Sequence, residues 1–352
     1  MDITLSTSYK ETMGQYEALK QTFAYMAKER GRIVQAYKGS AHGAIVFSGS
    51  GSSFEVSRSS AISASLRLKE KSIVLAAGDI LINHADYAPL LKGALLVLVS
   101  RSGATSEVIL AAELVKKQGG KVFSVICTKD SPLAALSDVV LELPWAFDDS
   151  VCQTRTVTNL YTANLCLLAF ICGGAMGEGL LRDISSVIER GEEYIQTWAK
   201  PIQEVSAGPW DHAIVLADGE LEGIAQEGAL AFKEICNARS NYHHVLDVRH
   251  GPMVGITEKT FVIISLSPND DVYQRSLIRD IIKKGATVVV YSPEETAPIN
   301  GVALQVFSGL PLISAASGIP FIFVPQMAAL THSAVLGNNP DKPHELDPWI
   351  KL

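Results

Sequence analysis

Short, continuously apolar runs alternate with longer stretches of helical spacing through most of this 352-residue chain. Ile45 to Phe47, Ile73 to Ala76, Leu95 to Val99, Val122 to Cys127 and Val139 to Leu143 are aliphatic or β-branched, and two of them, Gly43 to Phe47 and Leu95 to Val99, are too uniformly apolar to be half exposed. They predict buried parallel strands. Tyr9 to Arg30, Phe54 to Leu68 and Ser106 to Gln118 carry helical spacing, the last closed by Gly119-Gly120 as a C-cap would close it. Strand, turn and helix in alternation predict an α/β fold with a doubly wound parallel sheet.

The pattern recurs after a charged helical stretch from Arg182 to Lys200, with a boundary expected near Pro201. Ala213 to Ala217, Thr260 to Leu266 and Thr287 to Tyr291 read as strands, and Gly223 to Asn237 and Asp271 to Lys284 as helices. The first half runs strand, Ser-Arg-Ser-Gly, helix, Lys-Lys-Gln-Gly-Gly, strand; the second runs strand, Ser-Pro-Asn-Asp, helix, Lys-Lys-Gly-Ala, strand. An internal duplication is expected from this, with the serines lost from the second copy.

Composition narrows the class. A net charge of −7 with scattered basic residues argues against a nucleic-acid surface. The odd set of cysteines at 127, 152, 166, 172 and 236 has no C-x-x-C spacing, so neither a disulfide framework nor a zinc site is expected, and reduced thiols in a cytoplasm fit. Met1 to Gln21 holds Asp2, Lys10, Glu11, Glu17 and Lys20 and no apolar core of a signal peptide. Thr156 to Gly177 is uncharged and long enough for a membrane span, but its threonines, asparagines and closing glycines read better as a buried helix. Thr296 to Pro340 contains no Asp, Glu, Lys or Arg, which predicts burial in a core or a subunit interface.

Four places carry candidate chemistry. Ser48-Gly49-Ser50-Gly51-Ser52-Ser53 leaves an apolar strand and enters a helix; it lacks the third glycine of a dinucleotide fingerprint and the Gly-Lys-Ser/Thr of a P-loop. Ser100-Arg101-Ser102-Gly103-Ala104-Thr105-Ser106 crowds four hydroxyls and a guanidinium at a helix start, a set suited to phosphate and larger than capping requires. Glu227 and Glu234, seven apart, share one helix face about 10 Å apart along the axis. Ala231 leaves room between them, and an unpaired carboxylate there suits a general base. The fourth is the polar loop Asp247-Val248-Arg249-His250-Gly251-Pro252-Met253.

At these four places the chain resembles the sugar isomerase (SIS) family, and over nearly its whole length a double-SIS phosphosugar isomerase such as the isomerase half of glucosamine-6-phosphate synthases. The matching stretches are Ser50-Gly51-Ser52-Ser53, Ser100 to Thr105, Gln226-Glu227-Gly228-Ala229-Leu230-Ala231-Phe232-Lys233-Glu234-Ile235 and Arg249-His250-Gly251-Pro252. The resemblance implies two tandem flavodoxin-like SIS domains, residues 1–195 with the phosphosugar cradle and 196–352 with the catalytic helix, His loop and tail. It implies that Ser52, Ser53, Ser100, Ser102 and Thr105 hold the phosphate and nearby sugar oxygens, that Glu234 moves the proton between C1 and C2, and that His250 opens the sugar ring from the neighbouring subunit of a homodimer; Arg101 and Glu227 are expected to bind substrate beside them. No metal or organic cofactor, nucleic acid or membrane is implied.

The departures are informative. The helix lysine of the synthases is Ala231 here, their tail lysine faces Pro343-His344-Glu345-Leu346-Asp347-Pro348, and no glutaminase domain is expected before the fold, so ammonia delivery from glutamine is not expected. Ser-Arg-Ser-Gly, Thr154-Arg155 and Gly337-Asn338-Asn339-Pro340-Asp341 are more similar to the tagatose-6-phosphate ketose/aldose isomerase branch. The expectation is therefore a cytoplasmic isomerase of a hexose or amino-hexose 6-phosphate. Amino-sugar-phosphate deaminase, fructosamine-6-phosphate deglycase and a non-catalytic phosphosugar sensor are the alternatives, and Tyr87, Trp145 and the tail near His344 are candidates for the sugar end.

Overall fold

In the computed structural model, which describes residues 2–40, 43–267, 272–343 and 346–352, the apolar runs become two five-stranded parallel sheets flanked by helices. The chain order is α1 (Thr7–Met13), α2 (Gln15–Lys38), β1 (Ala44–Ser48), α3 (Ser52–Arg67), β2 (Lys71–Val74), α4 (Ala77–Ile82), α5 (His84–Leu91), β3 (Leu95–Ser100), α6 (Ser106–Lys117), β4 (Lys121–Ile126), α7 (Pro132–Leu136), β5 (Val139–Glu142), α8 (Arg155–Cys172) and α9 (Gly174–Ser206). It continues with β6 (His212–Leu216), α10 (Glu222–Cys236), β7 (Arg239–His243), β8 (Thr260–Ser265), α11 (Val272–Ile282), β9 (Thr287–Ser292), β10 (Leu304–Phe307) and α12 (Ser314–Leu336). Asp271, the expected start of α11, and the Pro268-Asn269-Asp270 part of the preceding turn lie outside the described residues.

Two compact units result. One holds residues 14–148, 153–185 and 347–352 with the sheet β2-β1-β3-β4-β5; the other holds residues 1–13, 149–152 and 186–346 with the sheet β10-β9-β8-β6-β7. Read in chain order, the two sheets have the same strand order, the second strand lying outside the first. In each the order reverses once, between β1 and β3 and between β6 and β8, which are hydrogen-bonded neighbours. Right-handed crossovers leave a crevice beyond the carboxyl ends of such a strand pair, where α/β folds bind their ligands.

The strands are buried on both faces, as their sequences demand: β1, β3 and β8 have no exposed residue. In the first unit Val46, Leu96, Leu98 and Val122 pack under Ala77, Val108 and Ala112; in the second Ile214, Val262, Ile264 and Val288 pack under Leu277 and Ile281. Each such side chain contributes about 1.5 to 3 kcal/mol when fully removed from water. The α1 segment joins the second unit because Asp341 accepts from the amides of Thr7 at 2.8 Å and Ser8 at 2.7 Å.

Three elements bear on the sequence expectation. Pro201 lies inside α9, which continues to Ser206. The α8 segment is the buried helix expected of it, and α12 is buried too, running unbroken through Pro320 and Pro325. Among the described residues α12 is the one helix long and apolar enough to cross a membrane, and 83% of its apolar window is buried inside the protein, so this part of the charge-free run serves as intramolecular core.

Candidate functional site

Both serine turns stand at the carboxyl ends of the adjacent strands β1 and β3, at the point where the first sheet's order reverses. The first turn is tight. A side chain at Gly49 would meet the Ser53 carbonyl carbon at 2.7 Å, so only glycine lets the start of α3 fold back onto the strand end. Ser57 Oγ locks this arrangement by donating to the carbonyl of Ser48 at 3.0 Å and of Ser53 at 2.9 Å. Ser52 and Ser53 open α3 as nearly buried residues, and their hydroxyls and amides have no protein partner among the described residues. The positive end of the α3 dipole is thus unsatisfied.

The second turn is closed by its own hydroxyls. Gly103 N donates to Ser100 Oγ at 3.0 Å and Ala104 N to Ser102 Oγ at 3.1 Å. A hydroxyl that accepts keeps its hydrogen for donation, so both serines can still point an O–H at an anion. Gly103 has φ +59°, and a Cβ there would stand 2.2 Å from Ser131 Oγ. Thr105 is the N-cap of α6 yet makes no side-chain cap bond, so its hydroxyl also remains available.

Arg101 is differently committed. Its guanidinium, 4% exposed, donates to the carbonyl of Pro348 at 2.9 Å and of Asp148 at 3.5 Å and lies over the Phe147 ring. Behind it, Asp148 Oδ2 accepts from the amides of Thr154 at 2.7 Å and Thr156 at 2.9 Å at the start of α8, and Oδ1 faces Arg155 Nε at 3.4 Å. Burial raises this carboxyl above its ordinary value, and the two amides and the Arg155 and Arg101 charges offset that only in part. Asp148 carried no signal in the sequence.

In the other unit, α10 begins just beyond the carboxyl end of β6. Glu227 is buried, Glu234 is half-buried one face-repeat further on, and Ala231 between them is buried. His250 is exposed, in a loop after β7 that Arg249 ties to α11 through Asp280 at 2.6 Å and Ser276 at 3.3 Å. That guanidinium holds the Asp280 carboxyl below its usual range. The structure therefore groups Ser52, Ser53, Ser100, Ser102 and Thr105 beyond the carboxyl ends of two neighbouring interior strands, while Glu227, Glu234 and His250 belong to the other unit. Tyr87 packs against the core of the first unit, and His344 lies outside the described residues.

A further cluster was not foreseen. Beyond the ends of β6 and β7, His244 Nδ1 lies 3.0 Å from Asp218 Oδ1 and 3.1 Å from the Tyr242 hydroxyl, and His244 Nε2 lies 4.0 Å from Glu222 Oε2. Its members come from two strand ends and a helix start, so no local spacing announces them.

Comparison with known proteins finds relatives in sequence and neighbours in structure. The glutamine–fructose-6-phosphate aminotransferase (isomerizing) of Brucella abortus is 25% identical over 270 residues, 73% of this chain and 44% of the relative. That of Thermococcus kodakarensis is 26% identical over 265 residues, 72% of this chain and 43% of the relative. The chain spans less than half the length of these curated relatives. Among solved structures, a tagatose-6-phosphate ketose/aldose isomerase from Escherichia coli is similar with TM-score 0.85 and 20% identity, covering 100% of this chain and 97% of that one. A glucosamine-6-phosphate deaminase from Thermotoga maritima is similar with TM-score 0.79 and 22% identity, covering 99% of this chain and all of that one. These structural likenesses show a shared fold. The family model described as SIS domain matches residues 40–169, the segment that carries both serine turns.

Proposed function

We propose that this chain is a phosphosugar aldose/ketose isomerase, acting on a hexose or amino-hexose 6-phosphate through an enediol or enolamine. The observation that carries the reading is the pair of serine turns at neighbouring strand ends, where Ser52, Ser53 and Thr105 spend no hydroxyl on the protein among the described residues. A phosphate dianion satisfies such a set of hydroxyls and helix-start amides. Binding energy gained there, remote from the reacting carbons, orients C1 and C2 for proton transfer.

In this reading Glu234 takes the proton from C2 of the aldose, the electron pair moves into an enediol, and the proton returns at C1 to give the ketose. Glu227 binds the sugar on the same helix face. His250 moves the proton that opens the ring, supplied by a second copy of the chain; the exposed side chains of Leu246 and Val254 that flank it, the latter 84% exposed, suit a homodimer contact. The shared strand order of the two sheets supports a second, degenerate SIS repeat that has lost its serines. Five free cysteines suit a cytoplasmic location.

The test is a screen of ketohexose, amino-hexose and fructosamine 6-phosphates, following both isomerised sugar and released amine. The expected result is isomerised product from one 6-phosphate and none from its unphosphorylated sugar. Release of ammonia or amine as the main product would replace the isomerase reading with a deaminase or deglycase. Binding without turnover of any member would leave a phosphosugar sensor.

A further inference from the structure

Residues 347–352 form no regular element, yet their backbone makes three hydrogen bonds to the second serine turn and the helix it opens. Arg101 donates to the carbonyl of Pro348 at 2.9 Å, the amide of Ser106 donates to the carbonyl of Ile350 at 3.4 Å, and the amide of Leu352 donates to Ser106 Oγ at 3.1 Å. The contacts fall on alternate residues, as they would for an extended segment laid across the start of α6. Little apolar burial backs them: Trp349, Ile350 and Leu352 are 38%, 50% and 79% exposed.

We propose that residues 347–352 are a displaceable strap that competes with the phosphate of the ligand for the second serine turn. The inference rests on the reading of that turn as a phosphate site. Two of the donors involved, the Arg101 guanidinium and the first amide of α6, belong to the set an anion would use, and each is turned to a peptide carbonyl. A cover that completed the site would leave those donors to the ligand; this segment takes them. Phosphate is the stronger acceptor, because charge-assisted bonds exceed those to a neutral carbonyl. A segment with few buried contacts opens at low cost. Arg101 keeps its contacts with the Asp148 carbonyl and the Phe147 ring when the strap leaves, so the guanidinium stays beside the turn. The strap then acts as a built-in competitive inhibitor, setting the ligand concentration at which the site fills.

The experiment is hydrogen exchange on the full chain with and without inorganic phosphate, alongside phosphate titrations of the full chain, of Leu352→Pro and of a chain stopped after Leu346. Leu352→Pro deletes the amide that bonds Ser106 Oγ and leaves the length unchanged. With phosphate bound, the amide of Leu352, the tail amide that the strap protects, is expected to exchange faster while those of Ser52 and Ser53 slow. Loosening the strap by one bond is expected to tighten phosphate binding about fivefold. If phosphate binds but the Leu352 amide slows or does not change, competition is overturned and the phosphate site stands. Weaker phosphate binding by the variants also overturns it, making the segment part of the site. If no chain binds phosphate, the reading of the turn fails and the competition with it. The full-chain exchange decides between these even where the shortened chain does not fold.

Discussion

Asp148 and Arg155 meet with Oδ1 and Nε 3.4 Å apart, and the carboxylate has no solvent exposure at all. The same carboxylate receives the first amides of α8, and its own backbone carbonyl receives Arg101. One buried anion thus fixes a helix start and steadies the second serine turn. Asp148→Asn keeps the shape but leaves Arg155 and Arg101 without their countercharge. The expected loss is about 3 kcal/mol of unfolding free energy in urea titration, since breaking one side of a buried pair strands the other. A loss below 0.5 kcal/mol would remove Asp148 from this role.

Glu234→Gln separates binding from chemistry. Its amide cannot take a proton from carbon, while the serine turns of the other unit are untouched. Turnover of the phosphosugar is expected to fall roughly 10³-fold, the scale of a positioned general base. Inorganic phosphate affinity, read by calorimetry, is expected to stay within a few-fold. Retained turnover would take the base assignment away from Glu234.

Which parts of this molecule could be read from its sequence follows from where each residue's partners lie. The central strands were legible because strands buried on both faces are apolar at every position, as in β3 and β8. The edge strand β7, Arg239–His243, was not: it alternates exposed and covered residues and holds two charged or polar ends. The edge strand β10 is four residues long and equally silent. Helix α12 was hidden by Pro320 and Pro325, which remove two backbone donors. Tyrosine hydroxyls from elsewhere donate to this helix's backbone, Tyr194 to the Pro320 carbonyl at 2.9 Å and Tyr291 to the Ser317 carbonyl at 3.1 Å. The serine turns were legible because hydroxyls, glycines and a helix start are adjacent in the chain. The commitment of Arg101 to Pro348 spans 247 positions and leaves no local trace.

Acid is expected to weaken the second unit in two separate steps. His332 is 1% exposed and stacked on Trp210, ring centroids 3.4 Å apart, and burial lowers its pKa below the ordinary histidine value. Above about pH 6.5 the ring is neutral folded or unfolded and costs nothing; below it the unfolded chain binds a proton that the folded one refuses. Stability then falls by up to about 1.4 kcal/mol per pH unit until the folded value is reached. Asp341 acts lower. Burial raises its carboxyl, but the amides and hydroxyls of Ser8 and Thr7 outweigh that and leave it below the ordinary value. Its contribution is therefore present above about pH 4 and lost as pH drops through the folded value. Thermal melts from pH 7.5 to 5 should show the first step in the native protein and a smaller one in His332→Phe. An equal slope in both would acquit His332.

Gly228 tests how closely α10 and α12 are fitted. A Cβ at this position would lie 2.8 Å from Pro325 Cγ and 3.1 Å from Pro325 Cβ, and a proline ring inside a buried helix has little freedom to retreat. Helix propensity alone favours alanine by about 1 kcal/mol. Overpacking a close contact costs about 1 to 3 kcal/mol, so the steric term wins and Gly228→Ala is expected to destabilise the protein by up to about 2 kcal/mol. Gly31 of α2 is the control, because a Cβ there meets nothing within 4 Å, and Gly31→Ala is expected to stabilise. Urea denaturation of the two variants should move in opposite directions. A stabilised Gly228→Ala would mean that α12 can shift away from α10, and that Glu227, one residue before this contact, is held less firmly than its burial suggests.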